Sequence, residues 1–333
     1  MKVAYRRGRE IRIGQVPSRA LEPDQIRVRV AACGICGTDL HENPAEADRE
    51  QPFGHEIAGT VAEVGSAVSG LSVGQPVVLE SATPCGRCDA CRNTRQELCA
   101  NIQSFFFTGS FGFADEVVVP AICAIPCADL PPDVACLSEP LGVAIDLVRL
   151  ADIQPTSNVL LLGPGPIGLM ALALTRRLGA RRVFLSAFSR ETARCAAARA
   201  LGVDGIVDPS ETPIEKFDFG CPIDRVLVTT PPPTLAGAFQ VACKGGIVSF
   251  IGIGHGESAF CRFDVNAFHF KKLQLRASFA SPALYTPMAL QYLREGVVNG
   301  PSLISHRFPL ARLAEAMDTA RDPARALKVI VQP

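Results

Sequence analysis

VLLLGPGPIGLMALALTRRL, residues 159–178, decides how much of this chain folds. Val159–Leu162 is an uninterrupted apolar run, the length of a strand buried on both faces. Gly163-Pro164-Gly165-Pro166-Ile167-Gly168 follows as G-x-G-x-x-G, and a helical pattern runs from Ile167 to Leu178. In that order the first glycine serves the tight turn and the second lets backbone approach a pyrophosphate. The third lets the helix pack close on the strand. The phosphate would lie against the positive end of the helix dipole. The plain alternative is a βα turn with no ligand.

Outward from this turn the same alternation continues. Val183–Leu185, Ile206–Val207, Arg225–Thr229 and Ile247–Ile251 read as strands, with helices at Thr192–Leu201 and Thr234–Ala242. Strands alternating with helices specify an α/β fold with a doubly wound parallel sheet. An acid at the end of the second strand would bind a ribose 2′-hydroxyl, but Ala187 stands there, followed by Ser189, Arg190 and Arg194. Guanidinium groups in that place suit the 2′-phosphate of NADP. If the arginines are only a solvated helix face, NAD remains open. Thr229 and the loop holding Gly252 and Gly254 are expected to line the nicotinamide side. Two further helices, Pro287–Glu295 and Leu310–Thr319, lead to a final strand, Lys328–Val331.

Before residue 142 the pattern is different: short β-type runs (Ile26–Val30, Ile57–Val64, Val77–Leu79, Glu116–Val119) broken by Gly and Pro. Inside this β-rich part lies CGRCDACRNTRQELC, with Cys85, Cys88, Cys91 and Cys99 at C-x2-C-x2-C-x7-C. Four thiolates so spaced can enclose one Zn2+ in a closed, structural tetrahedron. The chain has 333 residues, enough for about two domains. Lys+Arg and Asp+Glu both total 33, so no polyanionic partner, nucleic acid or charged membrane surface is indicated. No run is long and apolar enough to span a bilayer, since residues 159–175 are broken by glycine and proline. The N-terminal stretch lacks the apolar core of a signal peptide, so a cytoplasmic location is expected, where thirteen cysteines favour metal ligation over disulfides.

CGICGTDLH (Cys33–His41), GHEIAGTVAEVG (Gly54–Gly65), the cysteine lobe, GFADEVVVP (Gly112–Pro120), SEPLGVAIDL (Ser138–Leu147) and the glycine turn stand in one order. That order resembles the zinc-dependent medium-chain alcohol dehydrogenases over essentially the whole chain, and looks most like their polyol (sorbitol) and threonine dehydrogenase branch. The resemblance implies a GroES-like catalytic domain at 1–141 carrying the 85–99 zinc lobe. It further implies a Rossmann dinucleotide domain at 142–280 and a segment, 281–333, returning to the catalytic domain.

It implies further that Cys36 and His55 ligate a catalytic zinc. Glu56, next to His55, resembles the carboxylate that ligates or swings toward that metal. Glu139 stands where polyol-type members place an acid bound directly or through water; its plain alternative is an acid in the first turn of a helix capped by Ser138. Cys136 is a lesser rival, and Cys33 reads as a packed thiol. Thr38 and His41 resemble stations of a proton relay, and Asp39 the acid that orients the ligating histidine. Gln75 and Ala187 depart from the pattern, the first standing where Asp is expected and the second where an acid, Asp or Glu, is expected. The implied activity is reversible hydride transfer between a secondary alcohol and NADP or NAD in a cleft between the domains. A polyol or sugar alcohol is the expected substrate, with amino-alcohol and simple secondary-alcohol substrates as alternatives. The rival readings are a zinc-free reductase on the same fold and a non-enzymatic dinucleotide-binding protein. A homodimer or homotetramer is implied by analogy.

Overall fold

The computed structural model describes residues 1–41, 48–127 and 129–333. It separates into two compact units. One comprises Met1–Gly142, Ala280–Asp322 and Lys328–Pro333; the other comprises Val143–Phe279 and Pro323–Leu327.

The second unit holds a six-stranded sheet in the order Gly205–Val207, Arg182–Ser186, Asn158–Leu162, Ile223–Val228, Ala242–Phe250, Gln274–Ala277. All five pairings are parallel. Numbered along the chain this order is 3-2-1-4-5-6, the doubly wound arrangement that places a ligand crevice where the strand order reverses. Asn158–Leu162, at the centre, is buried along its whole length, as its apolar run requires. The helix Pro166–Arg177 starts with proline, whose missing N–H leaves no donor unsatisfied in a first turn. A Cβ on Gly168 would lie 2.1 Å from the Gly163 carbonyl oxygen, so only glycine allows this helix to sit so close to the turn.

The first unit is built on a seven-stranded, mainly antiparallel sheet. Its path runs Ile304–Pro309, Lys328–Gln332, Gln25–Gly34, Glu56–Val64, Pro76–Leu79, Ala124–Pro126, with Glu116–Pro120 also paired to Gln25–Gly34. A small sheet of Glu10–Gln15, Lys2–Arg7 and Gln51–Pro52 lies beside it. Ile26, Val28 and Val30 alternate inward along Gln25–Gly34, the period of two that half-buried strands show, and Ile57, Val61, Val77 and Val119 are almost wholly buried on the neighbouring strands. Gln75, which replaces an expected acid, accepts the Ser72 N–H at 3.0 Å and so closes its turn.

The register of three strands sets up the site. Glu56 pairs with Gly34 on one side, and Ile330 pairs with Gly34 on the other. The Ile35 N–H continues the second pairing onto the Val329 carbonyl at 3.0 Å. The residues just past Gly34, the start of Glu56–Val64 and the start of Lys328–Gln332 therefore converge.

Candidate active site

Cys36 lies two residues past the strand Gln25–Gly34 and caps a short helix, Gly37–Leu40. The Asp39 carboxylate accepts the Cys36 N–H at 2.9 Å, and Arg6 donates to the Asp39 and Thr38 carbonyls at 3.0 and 3.4 Å. The thiol is thus carried on a turn fixed at both ends. His55 follows a segment held by the hydrogen bonds Gly112 N–H to Gly54 O (2.8 Å) and Phe113 N–H to Phe53 O (3.2 Å). Ligand atoms of Cys36, His55 and Glu56 all lie within 4.8 Å of one another.

Asp39 Oδ1 lies 4.0 Å from His55 Nδ1, within ion-pair range though beyond a hydrogen bond. Burial pushes the Asp39 carboxyl up, against the opposing pull of His55. Burial would lower His55, but the Cys36 sulfur, then Glu139 and Asp39, outweigh it and raise the imidazole well above its ordinary range. Three acidic or thiol groups, Cys36, Glu139 and Asp39, therefore face one histidine, a surplus of negative charge that suits a cation.

Glu56 is fully buried and Lys328 is 2 % exposed. The Lys328 ammonium donates to Glu56 Oε1 at 2.5 Å and to the Ile35 carbonyl at 2.9 Å. It also ion-pairs with Oε2, yet Oε2 receives no directed hydrogen bond. Burial opposes the lysine's charge, but Glu56 and Cys36 more than offset this and raise its pKa. Breaking such a pair strands a buried charge at about 3–5 kcal/mol. A Cβ on Gly34 would meet Glu56 Oε2 at 1.9 Å and Lys328 Cε at 2.9 Å, so the pair fills the space that glycine leaves.

Glu139 lies in the first turn of Ser138–Leu150 and is outside the 4.8 Å trio. Burial first, then the neighbouring Glu56 charge, push its carboxyl up to about 7, partly countered by His55 and Lys328. Cys136 donates its S–H to the Asp133 carbonyl at 3.2 Å, and burial pushes its thiol upward. Cys33 is likewise buried and raised well above its ordinary range. Both behave as packed thiols. Thr38 and His41 are exposed on the helix that follows Cys36. Phe106 meets His55 edge-on at 6.3 Å and stacks on Phe111 at 5.3 Å, an aromatic wall that sequence reasoning missed. The run Phe105-Phe106-Phe107 was its visible signal.

In the lobe, Cys85, Cys88, Cys91 and Cys99 bring their sulfurs within 4.8 Å of one another. Cys88 Sγ and Cys99 Sγ are 3.9 Å apart. Zn–S bonds of about 2.3 Å in a tetrahedron put sulfurs about 3.8 Å apart, so four thiolates fit one ion. The Cys85 N–H points to Cys99 Sγ (3.3 Å) and the Cys88 N–H to Cys85 Sγ (3.4 Å). Backbone N–H groups lower the Cys88 thiol to about 6, which favours thiolate. Cys91 is the one buried residue between 85 and 99, so the lobe has no apolar core of its own.

The second unit carries a cavity of about 590 Å³ at the carboxyl ends of its central strands. Leu162, Gly163, Gly165, Ser186, Ala187 and Thr229 line it, with Phe188, Glu191 and Arg194 toward one end. Pro166, Ile167, Gly168, Ser189, Arg190, Gly252 and Gly254 are not among its lining residues. Gly165 has open space where a Cβ would stand, as close approach by a pyrophosphate requires. The Glu191 carboxylate accepts the Phe188 N–H at 3.0 Å, and Asp208 accepts the Ser189 N–H at 2.6 Å. Arg194 is occupied by Glu191 (3.3 Å) and the Ala326 carbonyl (3.2 Å). Arg190 lies over the Phe188 ring at 4.0 Å.

A thiolate–imidazole–carboxylate trio on one unit and a glycine-turn cavity on the other define a metal-dependent, dinucleotide-linked oxidoreductase. Comparison with known proteins agrees. Residues 22–129 match the Alcohol dehydrogenase GroES-like domain family, and residues 166–294 the Zinc-binding dehydrogenase family. An L-idonate 5-dehydrogenase of Vitis vinifera is 31 % identical, covering 93 % of this chain and 88 % of that protein. An L-threonine 3-dehydrogenase of Saccharopolyspora erythraea is 32 % identical (96 % and 95 %), and a sorbitol dehydrogenase of Bacillus subtilis 30 % (98 % and 95 %). A zinc-binding dehydrogenase of Sinorhizobium meliloti, solved with NADP, has a TM-score of 0.84 at 29 % identity, covering 100 % of this chain and 99 % of that one. A dehydrogenase of Escherichia coli, solved with NADH, reaches 0.89 at 24 % over the same shares, which speaks for the fold alone. The chain belongs to the zinc-binding medium-chain alcohol dehydrogenase family, on its polyol and threonine dehydrogenase branch. It is a zinc-dependent, NAD(P)-linked oxidoreductase acting on CH–OH groups. No helix among the described residues is long and apolar enough to cross a membrane.

Cys91→Ser should remove one zinc per chain and open residues 85–99 to limited proteolysis, while the zinc of the Cys36 trio stays. Metal analysis and peptide mapping of the same sample check this. In small finger peptides such ligation is worth about 10–16 kcal/mol, so an unchanged cleavage pattern would contradict the ordering role.

Proposed function

We propose that the protein oxidises a secondary alcohol to a ketone, reversibly, and that the alcohol is a polyol or sugar alcohol. The observation that carries this is the convergence of the ligand atoms of Cys36, His55 and Glu56 within 4.8 Å of one another. Those three residues would hold the catalytic zinc, with Glu139 near enough in charge to act on the same centre. Bound there, zinc supplies Lewis acidity at an open position, while the dinucleotide supplies the hydride acceptor. Asp39 faces Nδ1 of His55 and so directs Nε2 to the metal. Thr38 and His41, exposed on one short helix, carry the alcohol proton outward. Phe106 and Phe111 shield the imidazole from solvent on one side. The polyol assignment is supported by relatives named for idonate, sorbitol and, in a solved structure, butanediol. The threonine dehydrogenases among the relatives favour an amino alcohol as the second reading. Cys36→Ser should abolish turnover across a panel of polyols and L-threonine yet leave dinucleotide binding, read by calorimetry, nearly unchanged. Full turnover in that variant would defeat the proposal.

For the dinucleotide we favour NADP. Ala187 offers no carboxylate to a 2′-hydroxyl, and Arg190 is presented on the Phe188 ring beside it. Arg194, bound to Glu191, contributes less. Arg190→Ala should weaken NADPH about tenfold, the worth of one charge-assisted contact, and leave NADH unaffected; equal losses for both would point to NAD.

We place the working protein in a reducing cytoplasm, since all thirteen cysteines are free thiols, and read it as a homodimer. Among the described residues, seven of the fourteen exposed large apolar side chains fall between 253 and 279, around the strand Gln274–Ala277, which ends the six-stranded sheet. An open edge with apolar neighbours favours antiparallel pairing with a second copy. Leu275→Lys should then yield monomers by light scattering, and an unaltered mass would remove this assignment.

A further inference from the structure

The Glu56 carboxylate is claimed from two directions. It belongs to the trio that would hold the metal, and it is gripped by a buried ammonium on another strand. We propose that Lys328 is a positioning residue of the metal centre, which competes with the metal for Glu56 and so keeps that carboxylate exchangeable. This rests on the zinc dehydrogenase reading and adds a residue to it.

Three features carry the inference. First, Lys328 and Glu56 are 2 % and 0 % exposed, so no solvent screens the ammonium from the carboxylate. Second, the ammonium also bonds the Ile35 carbonyl, one peptide before the ligand Cys36, and thereby ties together the two segments that supply all three ligands. Third, Gly34 sits between the strands without a Cβ, in the one place where any side chain would push Glu56 and Lys328 aside. A clip that merely joined strands needs none of this convergence on the ligands.

The consequence follows from charge. A carboxylate has one negative charge to share, and each cation on it weakens the other's hold. With Lys328 present, Glu56 would be held less firmly by a bound metal and a coordination position would be available to substrate. With the ammonium removed, the metal is the only counter-charge left for a buried anion, so Glu56 should close on it.

The test uses the full-length protein with zinc in the cysteine lobe and Co2+ in the Cys36 trio. Lys328→Met, Glu56→Gln and the double variant are compared by visible absorption and by chelator competition. Lys328→Met is expected to bind Co2+ about tenfold tighter, the scale on which such supporting partners act, with an altered ligand-field spectrum and a lower kcat. The double variant, in which no buried charge is left alone, is expected to match Glu56→Gln in both measurements. Unchanged or weaker Co2+ binding in folded Lys328→Met, or a double variant that departs from Glu56→Gln, would overturn the proposal. Should Lys328→Met not fold, the double variant alone decides. Wild-type protein that takes up metal only in the cysteine lobe would overturn the zinc dehydrogenase reading itself.

Discussion

Everything about the metal site depends on how one buried anion is neutralised. Glu56 has no access to water, and a carboxylate in that position persists as a charge only if cations meet it. The fold supplies one cation from its last strand, through a register that brings Lys328–Gln332 alongside Gln25–Gly34 and Glu56–Val64. The same carboxylate lies with Cys36 and His55 in a group whose ligand atoms are within 4.8 Å of one another, an arrangement that can take a second cation. The antiparallel sheet is therefore the device that sets the charge of the site. The C-terminal strand, far away in sequence, is as much a part of it as the motifs near the N-terminus.

The two candidate metal sites use cysteine in opposite ways. In the lobe, four thiols with backbone N–H groups aimed at sulfur organise a stretch that has almost nothing apolar to bury. Ligation is its core. In the proposed catalytic trio of Cys36, His55 and Glu56 only one thiol takes part, and the nearby cysteines, Cys33 and Cys136, are packed, their thiols pushed upward by burial. The mixed donor set leaves a coordination position that four thiolates would close.

Much of this was legible in the sequence where local pattern and chemistry coincide. The strand Asn158–Leu162, the turn at Gly163–Gly168 and the helix Pro166–Arg177 announced themselves because apolar run, glycine spacing and helical period stand in direct succession. Cys36 and His55 were readable from their motifs. Lys328 was not, because a lysine opening the run LKVIVQ reads as the polar end of a strand, and only the three-strand register reveals its partner. The edge strand Gln274–Ala277 escaped for a related reason: its residues are mostly exposed, and no alternation marks them. Glu139 was expected close to the metal by resemblance. The structure keeps it in the first turn of its helix, coupled by charge but outside the trio, because its position follows from a helix start rather than from strand pairing. Arg194, expected at a 2′-phosphate, is drawn instead to Glu191, a neighbour one helical turn away that spacing alone does not disclose.

The most direct test is anomalous diffraction at the zinc edge from crystals of the purified protein. Two peaks per chain are predicted, one inside the tetrahedron of Cys85, Cys88, Cys91 and Cys99, the other bounded by Cys36 sulfur, a His55 nitrogen and a carboxylate or solvent oxygen. A single peak, confined to the four-cysteine lobe, with Cys36 and His55 turned away from each other, would contradict the account.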